Sequence, residues 1–411
     1  MDHRGVTPRW SLKVKMSGNF FTENNLRHVV NVSGTMTGLG SCIVPQAVID
    51  DVANALPFFV EMNDLQRLAS TVISDLCGAE AGFVTASCAA GITLSVAAAM
   101  TGSNIGKIEQ LPDTTGLKNE VLIQTGHLVN YGAPIDQAIR LAGATVVQVG
   151  QSTYATKHQL DYAITSHTAA AIYVVSHHAV SYGQIPLDEF IAVCRTKNIP
   201  IIVDAASEYD LKRFLIDGAD IALYSTHKFL SGLTGGIVAG KKEFVKATFM
   251  QNLGIGRGMK VGKEGIVGAI SALRLWKYRD HNAIFENEQK SLKLWSNLLA
   301  QYSGINLSIE KDPTNNPLNR LKVEIDFDKS GFTARALRNA LAQGDQPVIV
   351  RDHEIENGYF HMDPCNLNSL DAEIVATRLN QEILKLKDIN YFHKMNIKST
   401  DKLSVYLNWL D

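Results

Sequence analysis

The sequence predicts an α/β fold built on a mainly parallel sheet, and three observations carry that prediction. From Gly82 onward, short apolar runs rich in β-branched residues alternate with helical patterns and with turns of glycine or polar residues. Strands separated by helices imply a parallel sheet covered on both faces. Two neighbouring runs also end in chemistry: Pro200-Ile201-Ile202-Val203 closes on Asp204, and Asp220-Ile221-Ala222-Leu223-Tyr224-Ser225 leads to Lys228. Open α/β sheets gather ligands at the C-terminal ends of their strands, where these two residues emerge. Finally, a chain of 411 residues is too long for one small core, so two or three domains are expected.

Taken in order, residues 45–80 read as amphipathic helices, with apolar positions at helical spacing in Gln46-Ala47-Val48-Ile49-Asp50-Asp51-Val52 and again from Leu65 to Ile73. Strands are expected at 82–85, 120–124, 145–149, 170–175, 201–204, 221–225 and 236–239, making a seven-stranded large domain. A long helical stretch at 261–299, rich in Ala, Leu, Lys and Glu, then leads away. Residues 318–327 and 347–361 read as strands of a smaller α/β domain and 370–386 as its helix. The expected organisation is therefore an N-terminal segment at 1–50 joining the small domain, a large cofactor-binding domain at 51–275, and a connecting helix, small domain and tail at 276–411. Tyr391, Phe392, Tyr406 and Trp409 make the tail too aromatic for a free linker, and it is expected to pack on the body.

Composition narrows the function. With 45% hydrophobic and 19% charged residues the chain is globular rather than disordered. A formal net charge of −2 gives no footprint for nucleic acid, so a small-molecule substrate is expected. Cys42, Cys77, Cys88, Cys194 and Cys365 include no C-x-x-C pair, so neither a zinc site nor a disulfide framework is indicated. The opening Met-Asp-His-Arg-Gly has no apolar signal core, and no run reaches the ~18 apolar residues of a membrane span. A cytoplasmic protein is the expectation.

Lys228 lies 24 positions after Asp204, in Tyr224-Ser225-Thr226-His227-Lys228-Phe229-Leu230. One acid and one lysine side by side on neighbouring strands suit pyridoxal phosphate. The lysine holds the cofactor as a Schiff base, and the aspartate keeps the pyridine nitrogen protonated so that the ring takes up electrons. Asp204 could otherwise serve as a helix N-cap and Lys228 as a surface lysine, but apolar neighbours and glycines around Lys228 favour a reactive amine. A phosphate seat is expected at Phe83-Val84-Thr85-Ala86-Ser87-Cys88-Ala89-Ala90-Gly91, a strand, a turn of small residues and a helix start. There the amides of Ser87, Cys88 and Ala89 can approach an anion at the positive end of the helix dipole.

These residues resemble the pyridoxal-phosphate enzymes of the aspartate aminotransferase superfamily, fold type I, which carry a strand-end Asp and then Ser-x-His-Lys, as Asp204 and Ser225-Thr226-His227-Lys228 do. Within it the chain is most similar to the bacterial selenocysteine synthase group, through Asn31-Val32-Ser33-Gly34-Thr35, the run from Gly143 to Gly150 and the run from Gly235 to Lys242. It is closer still to relatives that act as D-glucosaminate-6-phosphate ammonia-lyases, through the segment from Asn119 to His127. The likeness spans about residues 28–365. It implies that Ser225 and His227 add donors to the cofactor phosphate, that His127 stacks on the pyridine face, and that Arg351, ending a small-domain strand, pairs with the substrate carboxylate. Two departures stand out: Ala86 and Ser87 replace an expected Ser and Gly, and Leu128 replaces an arginine that commonly follows the histidine.

The resemblance also implies a homodimer, with Gly232 to Gly236 meeting the second subunit. Arg257, with Lys260 and Lys263 in a glycine-rich loop, is expected either to meet a substrate phosphate or to form a solvated basic edge. His177 and His178 end the strand before Asp204. Neighbours on a strand point to opposite faces, so they make poor metal co-ligands, and one of them, taken as His177, is expected to face cofactor or substrate. The expected reaction is α,β-elimination from a β-hydroxy amino acid or aminosugar acid, giving ammonia and a 2-keto acid. The alternative is aldol cleavage, racemisation or β-replacement on a small amino acid.

Overall fold

The computed structural model describes residues 20–180, 182–368, 370–397, 407 and 409. Among them twelve strands form three sheets. The strands are β1 (Val30–Val32), β2 (Ala81–Thr85), β3 (Glu120–Gln124), β4 (Thr145–Val149), β5 (Thr168–Val174), β6 (Ile201–Asp204), β7 (Ile221–Ser225) and β8 (Gly236–Gly240). Four more follow the long helices: β9 (Ile305–Lys311), β10 (Asn319–Ile325), β11 (Val348–Val350) and β12 (Tyr359–Met362).

The central sheet runs β2-β8-β7-β6-β5-β3-β4. Its pairings are parallel except at β8, which is antiparallel to both β2 and β7. All four residues of β6 and all five of β7 are buried, as strands covered on both faces must be. In β7 the period of two is visible: Ala222 and Tyr224 join one core with Phe190, Phe214 and Trp276, while Ile221 and Leu223 join the other with Phe83, Ile92 and Val238. Helix Cys88–Thr101 packs in the second core and is buried nearly all round, which its Ala, Gly and Ser content permits. Gly91 makes the fit close, since a Cβ there would lie 3.1 Å from Leu223 Cδ2.

The stretch at 261–299 is two helices, Lys263–Tyr278 and His281–Leu299, not one. Asp280 caps the second by accepting the Ala283 N–H at 2.9 Å, a local bond that competes with continuing the first. Beyond it, β12-β10-β9 form an antiparallel sheet, and β1 pairs in parallel with β11, joining residues more than 300 positions apart. Helices Ala334–Leu341 and Asp371–Lys385 cover this part, whose core holds Trp295, Leu321, Phe360 and Leu379. Strand β9 and helix Ala334–Leu341 were not expected from the sequence. In β9 only Ile305 is buried, so its alternation is weak. In the tail Phe392 is buried, whereas Trp409 is 75% exposed; Tyr406 lies outside the described residues.

Candidate active site

The register of the central sheet puts Asp204 at the end of β6, between Val174 of β5 and Leu223 of β7. Its Oδ1 accepts the Cys88 thiol at 3.3 Å and the Ala206 N–H at 3.2 Å. Asp204 makes no ion pair, and Oδ2 has no hydrogen-bond partner among the described residues. Burial raises its pKa, and the nearby Lys228 ammonium opposes that rise. A carboxylate buried this deeply calls for a cationic partner. The nitrogen of a protonated pyridine is such a group.

The expected phosphate seat lies where β2 ends. Ser87 caps helix Cys88–Thr101, its Oγ accepting the Ala90 N–H at 3.0 Å. The Gly91 N–H returns to Ser87 O, so the amides of Cys88 and Ala89 are the two left unpaired in the first turn. Across from them Gly236 opens β8, and a Cβ there would sit 2.4 Å from the Ser87 carbonyl. Ser225 Oγ and His227 Nδ1 share a hydrogen bond of 3.1 Å beside this seat. Free amides, a helix N-terminus and two polar side chains fit a phosphate monoester.

His127 follows β3 and is 3% exposed. Its Nδ1 accepts the Val174 N–H at 3.1 Å, which sets the Nε2–H tautomer. Burial pushes its pKa down to about 4, so the ring is neutral, and Tyr173 fixes it edge-on with centroids 4.5 Å apart. A neutral, immobilised ring suits stacking on a cofactor face.

Two clefts open beside Lys228, with Phe229 and Cys365 as their common wall. One, of about 270 Å³, is lined by Gly34, Thr35, His177, Ser207, Arg320 and Arg351 among others. Arg320 is neutralised there, with Nη1 2.8 Å from Asp312 Oδ2 and Nε 2.7 Å from Asp363 Oδ2. Arg351, 8% exposed, makes no ion pair and no side-chain hydrogen bond among the described residues. It is the free cation of this cleft, and a substrate carboxylate would complete it. The other cleft, of about 420 Å³, holds Lys228 with Tyr209, Arg279, His281 and Glu288. Arg279 Nη1 donates to Phe229 O at 2.7 Å and its guanidinium covers Trp276, which ties the helix junction to the residue next to the lysine.

Of the expected site residues, Lys228, His177 and Arg351 line the two clefts, Asp204 is linked to Cys88 by a hydrogen bond and to Lys228 by charge, and Ser225 pairs with His227. Cys88 differs in detail from its expected place, because its thiol serves Asp204 while its amide faces the phosphate seat. His177 and His178 also differ: β5 ends at Val174, so they lie on a turn, and their rings sit together at 4.0 Å rather than on opposite faces. His353 joins them at 5.1 Å from His178, yet no His/Cys/Asp/Glu group among the described residues has metal-holding geometry. Arg257 lies apart from these residues. It is exposed on the short 3-10 turn Ile255–Met259 and lines neither cleft of its own chain. Lys263 is engaged elsewhere, donating to the carbonyls of Leu56 and Phe58 at 2.6 and 2.5 Å.

Sequence reading missed Glu208, Glu288, Asp312, Arg320 and Asp363. None carries a local motif, and each acquires its surroundings by tertiary packing alone.

A profile of the SelA family, described as L-seryl-tRNA selenium transferase, matches residues 29–367. The chain is 34% identical to the D-glucosaminate-6-phosphate ammonia lyase of Salmonella typhimurium over 366 residues, covering 89% of this chain and 98% of that protein. It is 32% identical to the 5'-C-glycyluridine monooxygenase-decarboxylase of a Streptomyces species, covering 87% and 90%. The solved structure of D-glucosaminate-6-phosphate ammonia-lyase superposes with a TM-score of 0.82 at 33% identity, over 91% of this chain and all of the other.

Proposed function

The chain belongs to the L-seryl-tRNA selenium transferase family and is a pyridoxal-phosphate-dependent enzyme of fold type I; from that premise we propose that it is an ammonia-lyase acting on a 2-amino-3-hydroxy sugar acid. The observation that carries the reading is the match to an aminosugar-acid ammonia-lyase across 98% of that relative's length. A single unpaired arginine in the cleft beside Lys228 supports it.

Lys228, the Cys88 and Ala89 amides, Ser225 and His227 would hold pyridoxal phosphate, which when bound would supply an electron sink for the bond broken at Cα. The residues of the chain do the rest. Asp204 holds a proton on the ring nitrogen. His127 fixes the ring plane, and Arg351 orients the substrate through its carboxylate. The Lys228 amine would be the base that takes the α-proton. Loss of the 3-hydroxyl then gives an unsaturated amino acid that hydrolyses to a 2-keto acid and ammonia.

We further propose a small-molecule substrate rather than tRNA, on the net charge of −2, and a cytoplasmic homodimer. Free cysteines among the described residues favour a reducing compartment. The exposed run Leu56, Phe58, Phe59 and Val60 favours burial against a second copy. A second reading, oxidative decarboxylation at the same carbon, is favoured by the 32% identity to the Streptomyces enzyme. Incubating the holoenzyme with D-glucosaminate 6-phosphate, with ammonia, 2-keto acid and dissolved oxygen followed together, separates the two. Ammonia and keto acid in equal amounts without oxygen uptake support the lyase; oxygen uptake with carbon dioxide release sinks it.

A further inference from the structure

Elimination of a hydroxyl from Cβ needs a proton on the departing oxygen, because hydroxide is a poor leaving group. Lys228, as the base at Cα, starts the step without a proton to give. The lining of the cleft that contains Lys228 includes one carboxyl group, that of Glu288, carried on the first half of helix His281–Leu299. Its carboxyl makes no hydrogen bond or ion pair among the described residues, although Arg279 lines the same cleft. This half-buried carboxyl, without a protein partner and facing the cleft it shares with Lys228, is free to meet a ligand.

We propose that Glu288 is the acid that protonates the leaving 3-hydroxyl of the substrate. The inference rests on the lyase reading above and names the group that performs its second half. In the step, the Cα–H proton passes to the Lys228 amine and its electron pair becomes the Cα–Cβ double bond. The Cβ–O bond breaks with its electrons on oxygen, and the Glu288 proton joins that oxygen to release water. Glu288 is left as carboxylate and is reprotonated from solvent. Charge is balanced: one proton is taken at Cα and one is given at oxygen.

The surroundings keep that proton in place. Burial, with the Asp363 charge adding and the Arg320 charge opposing, raises the Glu288 pKa to about 8. The groups facing it are Arg320 and Asp363 from the neighbouring cleft wall, Arg279 and His281 at the helix junction, and Lys228 and Cys365 across the cavity. Asp363 is in turn tied to Arg320 at 2.7 Å and lies against Gly34, where a Cβ would be 3.0 Å from Asp363 Oδ2. The carboxylate that helps keep Glu288 protonated is therefore held by two elements.

The test compares wild-type and Glu288→Gln holoenzymes on a 3-hydroxy substrate and on its 3-chloro analogue, whose chloride departs without a proton. Cofactor absorbance confirms that the variant is folded and loaded. The expected result is a loss of about 100-fold or more on the hydroxy substrate, at most about 3-fold on the chloro analogue, and retained exchange of the α-hydrogen with deuterated water. In the cofactor-free proteins, an infrared difference between wild type and variant should show a carboxyl losing its proton near pH 8. An equal loss on both substrates, no loss on either, or a carboxyl already ionised at pH 6 overturns the proposal and leaves the lyase reading intact. A wild-type enzyme that eliminates neither substrate brings down both.

Discussion

Replacing Glu208 by glutamine should make the protein's stability less sensitive to alkaline pH, and the structure sets the size of the effect. Glu208 lies four residues after Asp204 and is 7% exposed. Its Oε1 accepts from Thr314 Oγ1 at 2.8 Å and from Asn316 Nδ2 at 3.3 Å. Asn316 closes the contact by accepting the Tyr209 N–H at 2.8 Å, so this cluster joins the loop after β6 to the turn between β9 and β10. Burial, with the Asp312 charge adding to it and the Thr314 and Asn316 donors opposing, lifts the Glu208 pKa from 4.5 to about 8. The folded chain therefore holds a proton that the unfolded chain releases above its lower pKa. The favourable contribution is full below about pH 4.5, is lost progressively as pH rises, and is gone above about pH 8. A shift of this size corresponds to about 5 kcal/mol, and water penetration around the charged form reduces this to about 2. Glutamine keeps the shape and the acceptor oxygen but cannot ionise. Urea unfolding followed by far-UV circular dichroism at pH 5, 7 and 9 should show the wild type losing about 2–5 kcal/mol more than Glu208→Gln across that range. Parallel pH profiles, within about 0.5 kcal/mol, would refute the reasoning.

Three further outcomes are expected. Lys228→Ala should abolish covalent retention of cofactor after borohydride reduction, read by mass mapping, while the far-UV spectrum stays unchanged; a cofactor still fixed elsewhere would move the assignment. Arg351→Lys should lower kcat/KM by about 30- to 100-fold, mainly through KM, because an ammonium cannot pair bidentately with a carboxylate; a change confined to kcat would contradict the role. Arg320→Met should lower stability at pH 8 by about 3–5 kcal/mol, since Asp312 and Asp363, 4% and 1% exposed, lose their common cation. A loss below about 1 kcal/mol in chemical denaturation would show that the triad contributes little.

The central sheet was readable because its signal is local. Seven apolar runs appear within a residue or two of where the strands form, and the sharp ends of β6 and β7 put Asp204 and Lys228 in view. The antiparallel setting of β8 was not readable, since Gly236–Gly240 is equally apolar in either direction and pairing depends on what it lies beside. The break at Asp280 escaped because helical patterns run up to it and resume directly after it. The histidine pair was misread by extending a strand past its end at Val174, which imposed an alternation that the turn does not have.

By itself the sequence determined the α/β class, the strand ends that carry the candidate lysine and aspartate, and a helix start suited to a phosphate, because each depends on a few adjacent residues and on backbone geometry. Only the tertiary structure decided which arginine is free. Arg320 and Arg351 are alike as sequence, but Asp312 and Asp363 converge on one and leave the other bare in the cleft. It likewise decided that Glu288 shares a cavity with Lys228, 60 positions away. Charge, burial and reach are properties of surroundings, and in these cases the surroundings are assembled from segments far apart in the chain.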